Sequence, residues 1–254
     1  MEPRPLESKS RGVAPVEEIS QTGRALISLR EMLLRGDFRP GERISELPLV
    51  PRLGVSRTPI RLALDRLANE GLLEASPTGG FTVREFTVGD IWDAIEMRGV
   101  LEGTAARLAA ERLTSDHELA PLRKCRDEME SMLAPTIEIF AHYLDLNEAF
   151  HSAVVDLAKS PMLRRTLERV LSLPFASPSA LVFAPTLLPQ ATKMLTLGQE
   201  HHCAIVEAIE NRHGTRAESL AREHSRLARR NLELALLNRD LFSSVPGSSL
   251  IRVV

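Results

Sequence analysis

The sequence predicts a mainly α protein, in which an N-terminal winged helix-turn-helix with a small β-hairpin wing precedes an all-α antiparallel helical bundle. Aromatic residues make up only 4% of the 254 residues, and the abundance of Leu, Ala, Arg and Glu favours helices over sheets. Two short runs, 72–75 and 81–84, flank a Pro-Thr-Gly-Gly turn and have the pattern of a hairpin. Beyond residue 88, apolar residues recur at helical spacing through most of the chain.

The composition of successive segments predicts four parts. Residues 1–18 contain three prolines, one glycine and few apolar side chains, which is typical of a flexible arm. Residues 19–86 are predicted to form the winged helix-turn-helix, and residues 87–240 the helical domain. Residues 241–254 are rich in serine, so we expect a flexible tail there.

Charge and cysteine content narrow the class of protein. The net charge is −2 and only two cysteines are present, which argues against a disulfide framework and predicts a reducing, cytoplasmic location. We see no signal peptide and no apolar run long enough to cross a membrane. The segment 48–68 contains four arginines and only one acidic residue, an aspartate. This local excess of positive charge is typical of a nucleic-acid contact.

Three short helices are predicted ahead of the hairpin. The first ends at Gly36, where a glycine follows the last apolar position. The second is expected over 45–53, although Pro51 lies inside it and predicts a kink or a shortened helix. The third begins after Ser56, whose hydroxyl we expect to cap the helix, and ends near Gly71.

The third helix has the pattern of a DNA-reading element. An apolar stripe is expected to face the core at Ile60, Leu64 and Leu67. Arg57 and Arg61 lie four residues apart on another face, with Thr58 beside them. A solvated basic face is the alternative for an isolated arginine pair, but the surrounding helix-turn-helix pattern favours major-groove recognition.

The second half of the chain is predicted to be a series of helices. They are expected at 91–112, 116–133, 136–158, 161–173, 191–212 and 215–239. Residues 174–189 contain four prolines and are predicted to form a loop or a broken helix that borders a pocket.

Four polar side chains on these helices predict a metal site. Asn147 and His151 are four residues apart, so both can reach one ion, and Glu148 is an alternative first ligand. His202 and His224 lie on the apolar stripes of their helices. One oxygen and three imidazole nitrogens suit zinc first, with nickel, manganese and iron as alternatives. Ordinary hydrogen-bonded core histidines are the competing interpretation.

Several motifs together resemble a known family. Pro40-Gly41-Glu42-Arg43, Leu53 through Pro59 and Glu70-Gly71-Leu72 resemble the DNA-binding domain of GntR-type bacterial transcription regulators. Arg98, Glu102 and the alanine-rich run to Ala110 resemble the start of the helical FCD-type effector domain of the FadR subfamily. The resemblance covers roughly residues 22–235. It implies a homodimer that binds a near-palindromic operator on double-stranded DNA and responds to a small carboxylate metabolite.

The resemblance also implies roles for particular residues. The implied DNA contacts are Arg52, Ser56, Arg57, Thr58, Arg61 and Gly80, with base edges assigned to Arg57 and Arg61. Many members have a metal site formed by Asp or Asn, a histidine four residues later and two further histidines. The matching positions in this sequence are Asn147, His151, His202 and His224. Arg98 is implied to bind the effector, although an ion pair with Glu102 is its alternative role.

Two positions depart from the family pattern. Leu47 stands where relatives commonly place a phosphate-binding arginine, and Gly79 stands where the wing tip often carries a basic residue. Because both changes remove positive charge, we expect fewer phosphate contacts and a shallower dependence of DNA affinity on salt.

These observations predict a bacterial repressor, nucleoid-associated when bound to DNA, that a small carboxylate at the metal site releases. Repression and activation are not distinguished, and neither the effector nor the operator is identified. One alternative is a metal-dependent enzyme of small organic acids, against which the sequence lacks H-E-x-x-H, P-loop and Gly-x-Ser-x-Gly patterns. The other is a DNA-binding protein whose metal is structural and whose helical domain only dimerises.

Overall fold

A computed structural model describes residues 20–77, 79–132, 137–173, 175–184, 186 and 190–252. The predicted arm over 1–18 lies outside the described residues. Within the described ranges the protein is mainly α-helical with small sheets, as the sequence predicts. No helix in these ranges has the length and apolar character needed to span a membrane.

The N-terminal part is a winged helix-turn-helix, which we call the winged unit (residues 21–83). Its elements are α1 (Gln21–Arg35), β1 (Arg43–Ile44), α2 (Leu49–Leu53), α3 (Arg57–Asn69), β2 (Leu73–Ala75) and β3 (Phe81–Val83). The sheet has the order β1-β3-β2 with antiparallel pairing throughout, so that Thr82 lies opposite Arg43 on one side and Glu74 on the other. The predicted hairpin is confirmed, and β1 is an additional strand.

Apolar side chains from α1 and α3 form the core of the winged unit. Ile60, Leu64 and Leu67 of α3 are completely buried, and Leu29 and Leu33 of α1 are almost so. Full burial of each such side chain contributes about 1.5–3 kcal/mol. The predicted apolar stripe of α3 therefore holds this helix against α1 and leaves its opposite side in solvent.

The shortening of the second helix that Pro51 predicts is confirmed, but the predicted start of that helix and the predicted cap of the third were wrong. The second helix begins at Leu49 and not at Ser45, because a proline lacks the backbone N–H that a helix interior needs. Pro51 is the third residue of the shorter helix, within the first turn, where N–H groups have no intrahelical acceptor. Ser56 does precede α3 as its N-cap residue, but its side chain makes no capping hydrogen bond.

The helices that follow form the helical unit (residues 88–236). They are α4 (Val88–Arg112), a 3-10 helix (Asp116–Leu119), α5 (Ala120–Glu130), α6 (Ile137–Leu157), α7 (Pro161–Leu171), α8 (Ala191–Glu210) and α9 (Gly214–Leu236). The predicted helices are thus present, with ends shifted by a few residues. A capping box between Thr87 and Asp90 starts α4. A Cβ at Gly99 would lie 2.2 Å from Oγ of Ser225, so this glycine permits the close approach of α4 and α9.

Residues 241–252 do not form the flexible tail that the serine content of this segment predicts. They continue as α10 (Arg239–Ser243), a 3-10 helix (Ser248–Leu250) and β5 (Ile251–Arg252). β5 pairs in parallel with β4 (Phe86–Thr87), and Leu241, Val245, Leu250 and Ile251 are buried. These apolar residues, spaced between the serines, dock the segment on the core of the winged unit.

Candidate functional site

The exposed side of α3 carries the predicted base-reading residues. Arg57, Thr58 and Arg61 are all exposed, and they line an open cleft together with Glu46, Leu62 and Asp65. Within the described ranges neither guanidinium has an ion-pair partner. Both forked cations are therefore available to an external acceptor.

The other predicted DNA contacts lie around this cleft with different surroundings. Nη2 of Arg52 is 3.5 Å from a carboxylate oxygen of Asp37, and its guanidinium lies over the ring of Phe38. Ser56 is exposed at the start of α3. Gly80 has φ +79°, and a Cβ there would lie 3.1 Å from the carbonyl oxygen of Ile44. Only its backbone is offered to a ligand.

Arg43 is a basic residue beside the wing that the sequence analysis did not select. It is exposed, and its Nη2 donates a hydrogen bond to the carbonyl oxygen of Gly79 at 2.5 Å. The wing tip thus has a positive charge nearby although Gly79 itself has none. The pairing of β1 with β3 brings Arg43 there, and a two-residue strand gives no recognisable signal in a sequence.

Three histidines from three helices converge in the helical unit. His151 of α6, His202 of α8 and His224 of α9 offer ligand nitrogens that lie within 4.8 Å of one another. The Nε2 atoms of His202 and His224 are 3.1 Å apart. Zinc–nitrogen bonds at tetrahedral angles would separate such nitrogens by about 3.3 Å. The predicted convergence of these histidines is therefore present, with a spacing that suits one ion.

Neighbouring side chains orient two of the three rings. Gln199 is almost fully buried, and its Nε2 donates to the carbonyl oxygen of Arg126 at 2.8 Å. Its Oε1, 3.3 Å from Nδ1 of His202, then accepts the proton on that nitrogen. The opposite nitrogen of His202 keeps its lone pair for a cation, because a neutral imidazole carries one N–H.

Glu102 makes the corresponding contact with His151. Its Oε1 lies 3.1 Å from Nδ1 of His151, which leaves Nε2 of that ring for a ligand. Burial acts to raise the pKa of Glu102, but the charges of His151 and Arg98 and a hydrogen bond from His151 outweigh it and lower the pKa. The carboxylate is therefore ionised and lies where it can orient the His151 ring, as outer carboxylates commonly do around metals.

The protonation state and the unpaired atoms of the cluster fit a divalent metal. Burial lowers the pKa of His202 and of His224 well below the ordinary histidine value, and neighbouring histidines add to the shift. Without a metal, a hydrogen bond between His202 and His224 would explain why these two rings lie close together. That interpretation does not explain His151, whose Nε2 is buried and has no hydrogen-bond partner among the described residues.

The two candidates for the oxygen ligand have different positions. Asn147 is buried and lines a cavity with His202 and His224. Its Nδ2 donates to Oγ of Ser179 at 3.0 Å, and this contact leaves Oδ1 free to bind a cation. Glu148 lines another cavity together with His151, but its Oε1 already accepts the backbone N–H of Ser179 at 3.1 Å. The arrangement favours Asn147.

Arg98 lines the same cavity as Asn147, but most of its donors are already used. Nη1 donates to the carbonyl oxygens of Ala176 at 3.0 Å and Ser177 at 2.7 Å, and Nη2 donates to that of Ser225 at 3.4 Å. Nε lies 3.7 Å from Glu102. The ion pair anticipated as an alternative is thus present, although Nε makes no hydrogen bond among the described residues, and one hydrogen of Nη2 is also left for a ligand.

The cavity itself is small and lies under the proline-containing segment. Its volume is about 40 Å³, and its lining includes Pro178, Leu181, Val182 and Phe183. The prediction that this segment borders the pocket holds for its described residues; Pro174, Pro185 and 187–189 lie outside them. A volume of this size accommodates only a few water-sized groups.

Two family models match the chain in the order of its two units. The model for bacterial regulatory proteins of the gntR family matches residues 22–83, and the FCD domain model matches residues 93–227. The FCD match alone covers more than half of the chain. The chain therefore belongs to the gntR family of bacterial regulatory proteins that carry an FCD domain.

Individual relatives agree with this membership. The chain is 41% identical over 134 residues to the Nta operon transcriptional regulator of Aminobacter aminovorans, a match covering 52% of this chain and 61% of that protein. It thus spans about three fifths of that relative's length. It is 27% identical over 222 residues to the Glc operon transcriptional activator of Escherichia coli K12, covering 81% and 86%. Its domains and relatives are those of DNA-binding transcription regulators and not of enzymes.

A solved structure supports the same fold. E. coli McbR/YncC aligns with a TM-score of 0.58 over 87% of this chain and 100% of that chain. The sequence identity of the pair is 22%, so this likeness concerns the fold alone.

Proposed function

We propose that this protein is a cytoplasmic repressor that binds operator DNA through α3 and is released by a small carboxylate held at a metal site in the helical unit. The exposure of Arg57 and Arg61 on one side of α3 carries the DNA-binding part of the proposal. An arginine fork matches the O6 and N7 acceptors of guanine in the major groove. Four residues of helix rise about 6 Å, so the two forks address neighbouring base pairs.

The proposed DNA-bound form is a homodimer. A two-fold assembly carries one α3 per subunit into successive major grooves, with half-sites about 34 Å apart. The resulting operator is near-palindromic double-stranded DNA, and the bound protein is associated with the nucleoid. The name of the Glc relative includes activation, so the direction of regulation needs its own assay of transcription with and without the protein.

The proposed metal ligands are His151, His202 and His224, with Oδ1 of Asn147 as the oxygen donor. Three neutral imidazoles and one amide suit zinc, with nickel, manganese and iron as alternatives. A bound ion with open positions supplies a Lewis-acidic anchor for a carboxylate. Arg98 adds its remaining Nη2 hydrogen to hold the same group.

The small cavity connects the effector to the DNA-binding surface. Only a compact acid fits within about 40 Å³, and a larger one displaces the segment 175–184 that covers it. Because this segment packs into the core of the winged unit, displacement alters how the two units meet. An effector that prefers the displaced arrangement lowers operator affinity, typically by about 1–3 kcal/mol.

A binding-site selection followed by affinity measurements tests the DNA-binding part. Arg57→Ala and Arg61→Ala are each expected to cost about 1–3 kcal/mol on the selected operator and to relax base preference at one position. Arg66→Ala is the matched control, because Arg66 lies on the same helix and pairs with Glu70; it is expected to leave base preference unchanged. Unaltered binding by both test variants would refute the assignment.

Elemental analysis of purified protein tests the metal part. His202→Ala and His224→Ala proteins are expected to lose the ion that the wild type holds, whereas His142→Ala, an exposed histidine of α6, retains it. Retention at wild-type stoichiometry in both test variants would exclude the site. Carboxylates that stabilise the protein without changing operator affinity would favour a purely structural metal and a helical unit that only dimerises.

A further inference from the structure

The DNA-facing cleft contains one large apolar side chain. Leu62 of α3 is 52% exposed, although its neighbours Ala63 and Leu64 are completely buried. It lines the same cleft as Arg57, Thr58 and Arg61. An isolated exposed leucine is ordinary on a protein surface, so the significance of this one depends on the helix that carries it.

Helical geometry places Leu62 within the surface that would face the groove. Thr58 lies four residues before it, so the two side chains are neighbours along the helix, about 40° apart around the axis. Arg61 and Arg57 lie farther round in the same direction, about 100° and 140° from Leu62. The exposed side of α3 is therefore divided into a cationic edge formed by the arginines and an apolar edge formed by Leu62 and the methyl group of Thr58.

The charges around the cleft favour contact with bases over contact with phosphates. Glu46 and Asp65 line it together with the two arginines, so the formal charges of these four side chains cancel. A surface with no excess of positive charge gains little from phosphate neutralisation. Its donors and its apolar group must instead match the pattern of the base edges.

One base has an apolar group in the major groove: thymine, through its C5 methyl. We propose that Leu62 is a specificity-determining residue that packs on the C5 methyl group of a thymine in the operator half-site. The inference rests on the proposed function, since it requires α3 to enter the major groove. In this arrangement Arg57 and Arg61 select guanine, and Leu62 selects a thymine next to the bases that they contact.

The test compares four combinations: wild-type or Leu62→Ala protein, each with an operator that has or lacks the thymine methyl group. Each thymine of the selected operator is replaced in turn by deoxyuridine, which lacks only the C5 methyl. For the wild type, one such replacement per half-site is expected to weaken binding about fourfold, the value of one buried methyl-sized group. For Leu62→Ala, the same replacement is expected to change affinity less than twofold.

A matched variant separates this contact from general effects of losing a leucine-sized side chain. Ile27 of α1 is 48% exposed in the same unit and does not line the cleft. Ile27→Ala is expected to keep the full fourfold response to deoxyuridine. Because Leu62 is exposed, its alanine variant should keep the wild-type melting temperature, and calorimetry verifies that both variants are folded.

The outcomes distinguish the inference from the function on which it rests. If wild-type protein selects an operator but no deoxyuridine weakens its binding, or if the response persists in Leu62→Ala, the leucine contact is refuted while DNA recognition stands. If no sequence emerges from the selection, DNA recognition by α3 fails and the leucine contact fails with it. Loss of the response in Leu62→Ala alone supports the inference.

Discussion

The ring of Phe175 meets the ring of Phe86 edge to face, with centroids 5.0 Å apart and an interplanar angle of 76°. Phe86 belongs to β4, directly after the winged unit, and Phe175 belongs to the segment that covers the cavity in the helical unit. The next residue, Ala176, accepts a hydrogen bond from Arg98. A continuous series of contacts therefore links the cavity lining to the winged unit.

A second contact reaches α3 itself. Oγ of Ser172 lies 3.1 Å from the carbonyl oxygen of Glu70, the C-cap residue of α3, and shares its one hydrogen between this oxygen and that of Arg169 at 2.7 Å. A movement of the segment between α7 and the cavity would thus act on the end of α3. Contiguity of this kind shows where coupling is physically possible, and energetic coupling requires measurement.

Phe175→Ala tests how strongly this junction holds the two units. Phe175 is completely buried, and truncating a buried phenylalanine costs about 3–5 kcal/mol through lost burial and the cavity left behind. We expect a loss of this size in the free energy of unfolding measured with urea. Met162→Ala, at a position 74% exposed, should remain within about 0.5 kcal/mol of wild type. A cost below about 1 kcal/mol for Phe175→Ala would mean that the junction contributes little.

The helices and the histidine cluster were predictable because their signals are local. The periodicity of Ile60, Leu64 and Leu67 identifies α3, and apolar neighbours identify His202 and His224 as inward-facing. The family resemblance added which histidines belong together. Pattern within a single helix therefore accounts for much of the fold and for the inward-facing positions of these histidines.

Features that depend on distant partners could not be predicted in this way. The docking of residues 241–252 depends on pairing with β4, and β1 depends on pairing with β3. The contact of Glu102 with His151 joins α4 to α6, and the position of Gln199 against Arg126 joins α8 to α5. Each contact bridges segments far apart in sequence, and no spacing within one element reveals it.

Glu102→Gln and Gln199→Leu test whether these neighbours prepare the histidines for a metal. Gln199→Leu removes the acceptor from Nδ1 of His202, and Glu102→Gln replaces the charged oxygen beside Nδ1 of His151 with a neutral amide oxygen. Loss of such a partner typically lowers metal affinity about 10–100-fold, and we expect that decrease in competition titrations with a chromogenic zinc chelator.

Glu96→Gln is the control for the loss of a carboxylate from α4, because Glu96 is exposed and pairs with arginines of α9. Its zinc affinity should equal that of wild type. Equal affinities for the Glu102→Gln and wild-type proteins would show that the negative charge of Glu102 does not strengthen metal binding by His151.

Asn147 and Glu148 can be distinguished as oxygen ligands by three substitutions. Asn147→Ala should weaken zinc binding by at least about 10–100-fold, the loss typical when a residue that only orients a ligand is removed. Asn147→Asp should tighten binding, because it adds a carboxylate to a site whose other donors are neutral. Glu148→Gln should leave affinity unchanged, since Oε1 of Glu148 is used by the backbone N–H of Ser179. The reverse pattern, with a loss only in Glu148→Gln, would assign the ligand to Glu148.

The C-terminal segment is predicted to stabilise the winged unit, and two leucines near the end of the chain allow a matched test. Leu250 is completely buried, whereas Leu237, at the end of α9, is 86% exposed. Truncation of a buried leucine costs about 2–5 kcal/mol, so Leu250→Ala should lower the free energy of unfolding by that amount, and Leu237→Ala by less than about 0.5 kcal/mol. Hydrogen exchange locates the effect: Leu250→Ala should increase exchange in α1, where Oγ of Ser249 lies 3.5 Å from the carbonyl oxygen of Leu33. Equal stability of the two variants would mean that the segment lies on the winged unit without supporting it.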